Sequence, residues 1–206
     1  YLDGISLQHD KREEAAKVVQ NLKEESMNAG HEWLVTMDEI GMWHTGAKVD
    51  TADPNHPSLT HPVLWGTLLS GAAGVEWYFG ANSLQNDLTS EDWRQRDQLW
   101  EITHHAKQFF EEHLDYWEME PSHGLIDKPK SFCLAEPDEV YAAYIPEYSN
   151  TTIDLSQATG EFEVFWYDPL AGGALQTGPV TKIQGGSKQS LGLPPSEGNK
   201  DWVVLV

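Results

Sequence analysis

The sequence predicts an α/β segment followed by an all-β domain, and two observations predict it. Up to about Pro121, strand-like runs alternate with helical stripes at a spacing of roughly 30 to 40 residues, the pattern of parallel strands joined by helical crossovers. After Pro121 the period drops from 3.6 to 2. Alternating runs at 131–135, 139–145, 150–155, 161–167, 179–184, 187–192 and 201–206 are separated by turn residues such as Pro137-Asp138, Asp168-Pro169, Gly172-Gly173 and Gly185-Gly186. Short strands with frequent turns read as an antiparallel β-sandwich. The expected parts are therefore residues 1–121 and 122–206. Three strand–helix units cannot close a sheet, and a (β/α)8 barrel needs roughly 250 residues. The expected architecture is the last three βα units of such a barrel followed by the sandwich.

The elements follow in order. Tyr1 to Gln8 reads as a strand, and Asp10 with Glu13 as a capping box for the helix that carries Ala15, Val18, Val19, Leu22 and Ser26 on one stripe and stops at Gly30. The second strand is Glu32-Trp33-Leu34-Val35-Thr36-Met37-Asp38-Glu39-Ile40-Gly41, a mostly apolar run with two carboxylates at its exit. Regular alternation puts Trp33, Val35, Met37 and Glu39 on one side, with Val35 and Met37 facing the barrel interior, and Leu34, Thr36 and Asp38 on the other. Asp38 and Glu39 are then not a side-by-side pair. Pro62 marks the first position of a helix running to about Ser70, and Val75 to Gly80 is the third strand, ending near Phe79. Thr89 or Ser90 caps a long helix to about His113, with Trp93, Arg96, Leu99 and Trp100 among its inner residues. His113 to Pro121 is too apolar for a free linker, so Leu114, Tyr116, Trp117 and Met119 are expected to be buried.

Composition limits the partners. With 33 acidic against 13 basic residues and a formal charge of -20, the chain is unsuited to phosphate backbones and to anionic membrane surfaces. No apolar run approaches the roughly 20 residues of a membrane helix. The single cysteine, Cys133, lies in an alternating apolar run and reads as a small buried hydrophobe. Asp50, Asp53, Asn55 and His56 are oxygen- and nitrogen-rich but lack the spacing of a calcium loop, and no metal or cofactor is expected. The chain opens on Tyr1-Leu2 without Met, which suggests a fragment or processed form.

Candidate chemistry gathers at the strand exits. A carboxylate at the C-terminal lip of a parallel strand sits where such folds keep their chemistry, which singles out Glu39. Gln8, His9, His44, Glu76, Asn86 and Asp87 lie at exits or in the loops after them, and Trp43 and Trp77 are aromatic rings in the same region that offer apolar binding surface.

Thr36-Met37-Asp38-Glu39-Ile40-Gly41 resembles the Thr-Glu-x-Gly signature that ends strand seven of retaining clan A (β/α)8 glycoside hydrolases, and Ala73-Gly74-Val75-Glu76-Trp77-Tyr78-Phe79-Gly80 is similar to strand eight of the bacterial apiosidase-like branch. Glu139-Val140-Tyr141-Ala142-Ala143-Tyr144-Ile145-Pro146, Phe165-Trp166-Tyr167-Asp168-Pro169, Gly172-Gly173 and Asp201-Trp202-Val203-Val204-Leu205-Val206 resemble the β-domain family that bears the name collagen-binding domain. The resemblance implies that Glu39 is the nucleophile of a secreted or periplasmic enzyme acting on a polysaccharide or oligosaccharide. Retaining hydrolysis needs a second carboxyl roughly 5–5.5 Å away. The resemblance puts it on strand four, in an upstream part of the same protein. Glu76 is the alternative within this chain, although the resemblance places no acid there. The β-domain is either a carbohydrate- or matrix-binding module or a support without a ligand. Tyr144, Tyr148, Trp166 and Tyr167 exposed on one sheet face would favour binding.

Overall fold

A computed structural model describes residues 2–90, 92–197 and 201–206. By contacts the chain divides into two units, Tyr1–His104 and His105–Val206. This division and the change of period after Pro121 are different boundaries. Helix α4 (Asp97–His113) crosses the first one, and Tyr167 in the second unit packs on its C-terminal half, with its hydroxyl donating to His105 O at 2.9 Å and its ring 5.0 Å from that of Phe109.

In the first unit, β1 (Gly4–His9), β2 (Leu34–Ile40) and β3 (Gly74–Val75) form a parallel sheet in the order β1-β2-β3. Helix α1 (Ala15–Asn28) joins the first two. It ends in a Schellman turn: Gly30 takes φ 85°, and His31 N and Gly30 N reach back to Ser26 O and Met27 O. The expected Asp10 capping box does not form. The helix is entered through a 3-10 turn at Arg12–Glu14, whose N-cap Lys11 makes no side-chain cap bond.

The next helical run starts at Pro57 rather than Pro62. Its parts are α2 (Pro57–Leu59), a π-helical stretch at Thr60–Trp65 and α3 (Gly66–Leu68). Pro57 takes the first-turn position that lacks a donor requirement. Pro62 lies inside the run, where it cannot donate and its ring crowds the preceding turn; a π register accommodates such a break.

The third strand is also shorter than expected, pairing only through Val75. Beyond it Glu76 N still bonds Met37 O at 2.9 Å, but β2 then turns away at Gly41 (φ 111°). The residues after Glu76 find new partners in the returning loop: Ala47 N donates to Tyr78 O at 2.7 Å and Ala81 N to Trp43 O at 3.0 Å. The long helix likewise begins later than Thr89 or Ser90, through a 3-10 turn at Trp93–Arg96, and Trp93 is 61% exposed rather than inward.

The core of this unit joins Leu7, Val35, Met37 and Ile40 from the sheet to Ala15, Val19, Leu59, Val63 and Leu99 from the helical layer. Val35 and Met37 therefore face the helices, not an interior lumen. The opposite face, with Leu34 66% exposed, is open.

The second unit is antiparallel throughout. Strands β4 (Glu120–Pro121), β5 (Phe132–Glu136), β6 (Val140–Ile145), β12 (Trp202–Leu205) and β9 (Phe165–Tyr167) form one sheet in that order. Two smaller ladders pair β11 (Lys188–Gly192) with β7 (Thr151–Asp154) and β10 (Lys182–Gln184) with β8 (Glu161–Glu163). Cys133, Ala143 and Val204 from the large sheet share one core with Ile153, Leu191, Phe162 and Ile183 from the ladders, so layers pack face to face. Burial pushes the Cys133 thiol up to about 12, consistent with an inert core residue. Leu114 and Met119 are buried as expected; Tyr116 and Trp117 are 46% and 66% exposed, which corrects their expected burial. Among the described residues no helix is long and apolar enough to cross a membrane.

Candidate active site

The exit of β2 is not a regular strand. Leu7 pairs with Met37 and Gln8 with Glu39, so one step along β1 matches two along β2, and Asp38 is the extra residue of a bulge. Bulges re-aim the side chains that follow them. Partners in a parallel pair share a face. Leu7 is in the helix-side core, so Gln8 lies on the open face, and its partner Glu39 lies there too. The expectation that Glu39 shares a side with Val35 and Met37 is thereby overturned. Gln8 Nε2 donates to Glu39 Oε2, which fixes one oxygen of the carboxylate.

Across β3, Val75, Trp77 and Phe79 pack on the helix-side core, which leaves Glu76 and Tyr78 on the open face. Trp77 is held in the wall, its indole N–H donating to Thr103 Oγ1 at 2.9 Å. Glu76 is exposed on the open side.

The loop after β2 carries Trp43, 65% exposed, with its ring edge-on to His44 at 5.2 Å. Tyr78 Oη donates to Trp43 O at 2.6 Å. Burial raises the Tyr78 pKa above its ordinary value, and the negative charges of Asp87 and Glu39 add to the rise, so these groups share one electrostatic neighbourhood. Asp87 accepts from Phe79 N at 3.1 Å. Asn86 serves its own turn, accepting from Leu88 N at 2.9 Å and donating to Ser83 O at 3.0 Å. His9 pairs with the buried Ile40 and comes within 3.5 Å of the Glu14 carboxylate, on the side away from Glu39.

The structure thus brings together Gln8, Glu39, Trp43 with His44, and Asp87, with Glu76 on the same face; His9, Trp77 and Asn86 are engaged elsewhere. Tyr78 was not singled out by sequence reasoning. Its signal was alternation: with Trp77 in the wall, Tyr78 must face the site. Arg96 supports the same loops from behind. It is fully buried, its Nε donates to Ala47 O and its Nη2 to Gln85 O, both at 2.8 Å, and its guanidinium lies 3.9 Å over the Phe79 ring.

The acidic loop at 50–56 is structural. His56, fully buried, meets Asp50 Oδ1 at 2.8 Å, while Asp50 Oδ2 accepts from Gln98 N at 3.0 Å near the start of α4. Among the described residues no group of three or more His, Cys, Asp or Glu is arranged to hold a metal ion. Of the four rings whose exposure on one face of the second unit would favour binding, Tyr144, Trp166 and Tyr167 are buried and Tyr148 is partly buried, so they form no exposed sugar-binding face. Tyr144 instead donates to Asp201 Oδ2 at 2.7 Å.

In fold the chain is similar to solved glycoside hydrolases. A structure titled "Glycoside hydrolase" matches with a TM-score of 0.68 at 13% identity, over 99% of this chain and 52% of that one. A glycoside hydrolase family 5 protein from Bacteroides vulgatus ATCC 8482 matches with a TM-score of 0.69 at 16% identity, over 99% of this chain and 50% of that one. The chain spans about half the length of these structures. Residues 125–206 match the family described as "Putative collagen-binding domain of a collagenase". No curated protein matches the chain.

Proposed function

We propose that this chain is the C-terminal part of a secreted retaining glycoside hydrolase acting on a polysaccharide. Residues 1–121 are then the last three βα units of a (β/α)8 barrel of the apiosidase-like type, and 122–206 an appended β-domain. The observation that carries the reading is Glu39 itself: a carboxylate at the exit of the central parallel strand, turned by a bulge onto the open face and oriented by Gln8. Active sites of barrels sit at that end of the strands. The fold likeness to glycoside hydrolases supports the class.

In the mechanism, Glu39 attacks the anomeric carbon and forms a glycosyl ester, while an acid on the upstream part protonates the departing oxygen. The same group then takes a proton from water, which releases the sugar with retained configuration. Trp43 and His44 line the sugar path, and Asp87 and Glu76 offer acceptors to hydroxyl groups. In the β-domain the burial of Tyr144, Trp166 and Tyr167 argues against glycan binding through those three rings.

The test uses the full-length protein. Glu39→Gln keeps size and removes the nucleophile, so turnover falls by several orders of magnitude while the melting temperature holds. In Glu39→Gly, added azide enters the space left by the carboxylate and yields a glycosyl azide of inverted configuration. Wild-type turnover by Glu39→Gln ends the proposal.

A further inference from the structure

The exposed Trp43 indole stands on the loop that follows β2, within the Gly41–Thr45 turn. Thr45 N and Thr45 Oγ1 both bond Met42 O, at 2.7 and 3.1 Å, closing the turn that Gly41 opens. The Trp43 carbonyl is then taken by two donors from one neighbouring segment, Ala81 N at 3.0 Å and Tyr78 Oη at 2.6 Å. Ala81 N is a backbone donor that any residue would supply. Tyr78 Oη is the only side chain in the pair, and it comes from the open face that also carries Glu39 and Glu76. Behind it, Phe79 is pinned under Arg96, and a Cβ added at Gly46 would collide with the Phe79 and Gly80 backbone. The segment that presents Tyr78 is therefore rigid, and the Trp43 loop is fastened to it.

We infer that Tyr78 is a positioning residue: by donating its hydroxyl proton to the Trp43 carbonyl it holds the Trp43 indole at the lip of β2 as a preformed stacking platform for a sugar ring next to the one attacked. The inference rests on the glycosidase reading above for the identity of the ligand, but not for the coupling between the two residues. A platform held in place before binding spares the substrate the cost of ordering it. Loss of the hydroxyl should therefore raise KM for a chain long enough to reach Trp43 and leave kcat unchanged, because uniform binding is lost and not transition-state chemistry.

Full-length protein labelled with 5-fluorotryptophan gives the direct measurement. The Trp43 fluorine resonance is identified by its absence in Trp43→Phe; in Tyr78→Phe it should broaden and move toward the position of a free indole, with the other resonances in place. Cellulose, xylan, β-mannan, pectin and arabinogalactan are then offered. For the polymer cleaved, a pentasaccharide is compared with the 4-nitrophenyl glycoside of its terminal sugar. Tyr78→Phe should raise KM for the pentasaccharide about 5-fold to 10-fold, as expected for one lost hydrogen bond, with kcat within about 2-fold, and leave the nitrophenyl glycoside unaffected. Trp43→Ala should raise KM for the pentasaccharide at least as much, and the double variant should add little to that rise, since both act through one contact. An unchanged Trp43 resonance or a wild-type KM in Tyr78→Phe overturns the inference. If instead no polymer is cleaved, or Glu39→Gln cleaves as well as wild type, the glycosidase reading fails and with it the assignment of Trp43 as a sugar platform, while the fluorine signal still decides the coupling.

Discussion

Arg96 carries a cation into the interior of the first unit, and two of its nitrogens tie together loops that flank the candidate site. Its two carbonyl acceptors, Ala47 O and Gln85 O, belong to the loops after β2 and before α4. Burial lowers its pKa, opposed by the charges of Asp87 and Asp50, and the Phe79 ring supplies a cation–π contact in place of water. Removing the guanidinium breaks both of these hydrogen bonds, at about 0.5–1.5 kcal/mol each, together with the contact to the Phe79 ring. Arg96→Met in the full-length protein should cost about 2–5 kcal/mol in urea unfolding, and Arg96→Lys nearly as much, because one ammonium cannot reproduce the planar fork. Stability equal to wild type in both would show that the loops are held by their backbone bonds alone. Trp77 is the contrasting case. Its indole looked like a sugar platform in the sequence, yet its hydrogen bond to Thr103 and its place on the core make it part of the wall.

At the scale of elements, the sequence announced existence and order better than facing and ends. The period change after Pro121 and the turn pairs from Pro137-Asp138 to Gly185-Gly186 located most strands of the β-domain, because period two with a buried face is strongly specified, but the run at 161–167 is two strands, β8 and β9, in different ladders. Gly30 stopped α1 for the reason expected. The misses share a physical cause: each depends on a partner distant in sequence. The β2 bulge is visible only against β1, where Asp38 finds no opposite number, so strict alternation put Glu39 on the wrong face. The early end of β3 depends on the loop at 41–47 offering it different partners, and the π stretch on where Pro62 falls in a helix begun at Pro57. The bulge yields a prediction of its own. Deleting Asp38 restores regular alternation, with Met37 inward, Glu39 opposite Gln8 and Ile40 inward, so it should cost only about 1 kcal/mol. Deleting Thr36 instead turns Val35 or Met37, both fully buried, onto the open face; at about 1.5–3 kcal/mol per large side chain it should cost on the order of 3 kcal/mol or more. Equal costs in urea unfolding would mean that Asp38 is not a bulge residue.

For the molecule as a whole, the parallel sheet of the first unit poses a question of covering. Among the described residues its order β1-β2-β3 leaves both outer strands with one unpaired edge, and its open face exposes Leu34 while the other face packs on the helices. Parallel sheets are found with both faces covered, and an uncovered edge recruits other chains. The proposed barrel answers both needs at once: upstream strands pair the free edge of β1, the circuit closes at β3, and side chains from the remaining strands fill the space over Leu34 and Thr36. The consequence is measurable by amide hydrogen exchange on two samples, the 206-residue chain and the full-length protein. In the shorter chain the outward amides of β1 and β3 have no ladder partner and should exchange fast, while β2, paired on both sides, is slower. In the full-length protein all three strands should approach the protection of β2, because a closed barrel has no edge to open locally. The shorter chain should also associate as its concentration rises, through the edge of β1 and the exposed Leu34, and Leu34→Lys should weaken that association without changing exchange in β2. Equal exchange of β1 in both samples would mean that nothing upstream pairs with it, and the three strands would then have to be an open sheet rather than part of a barrel.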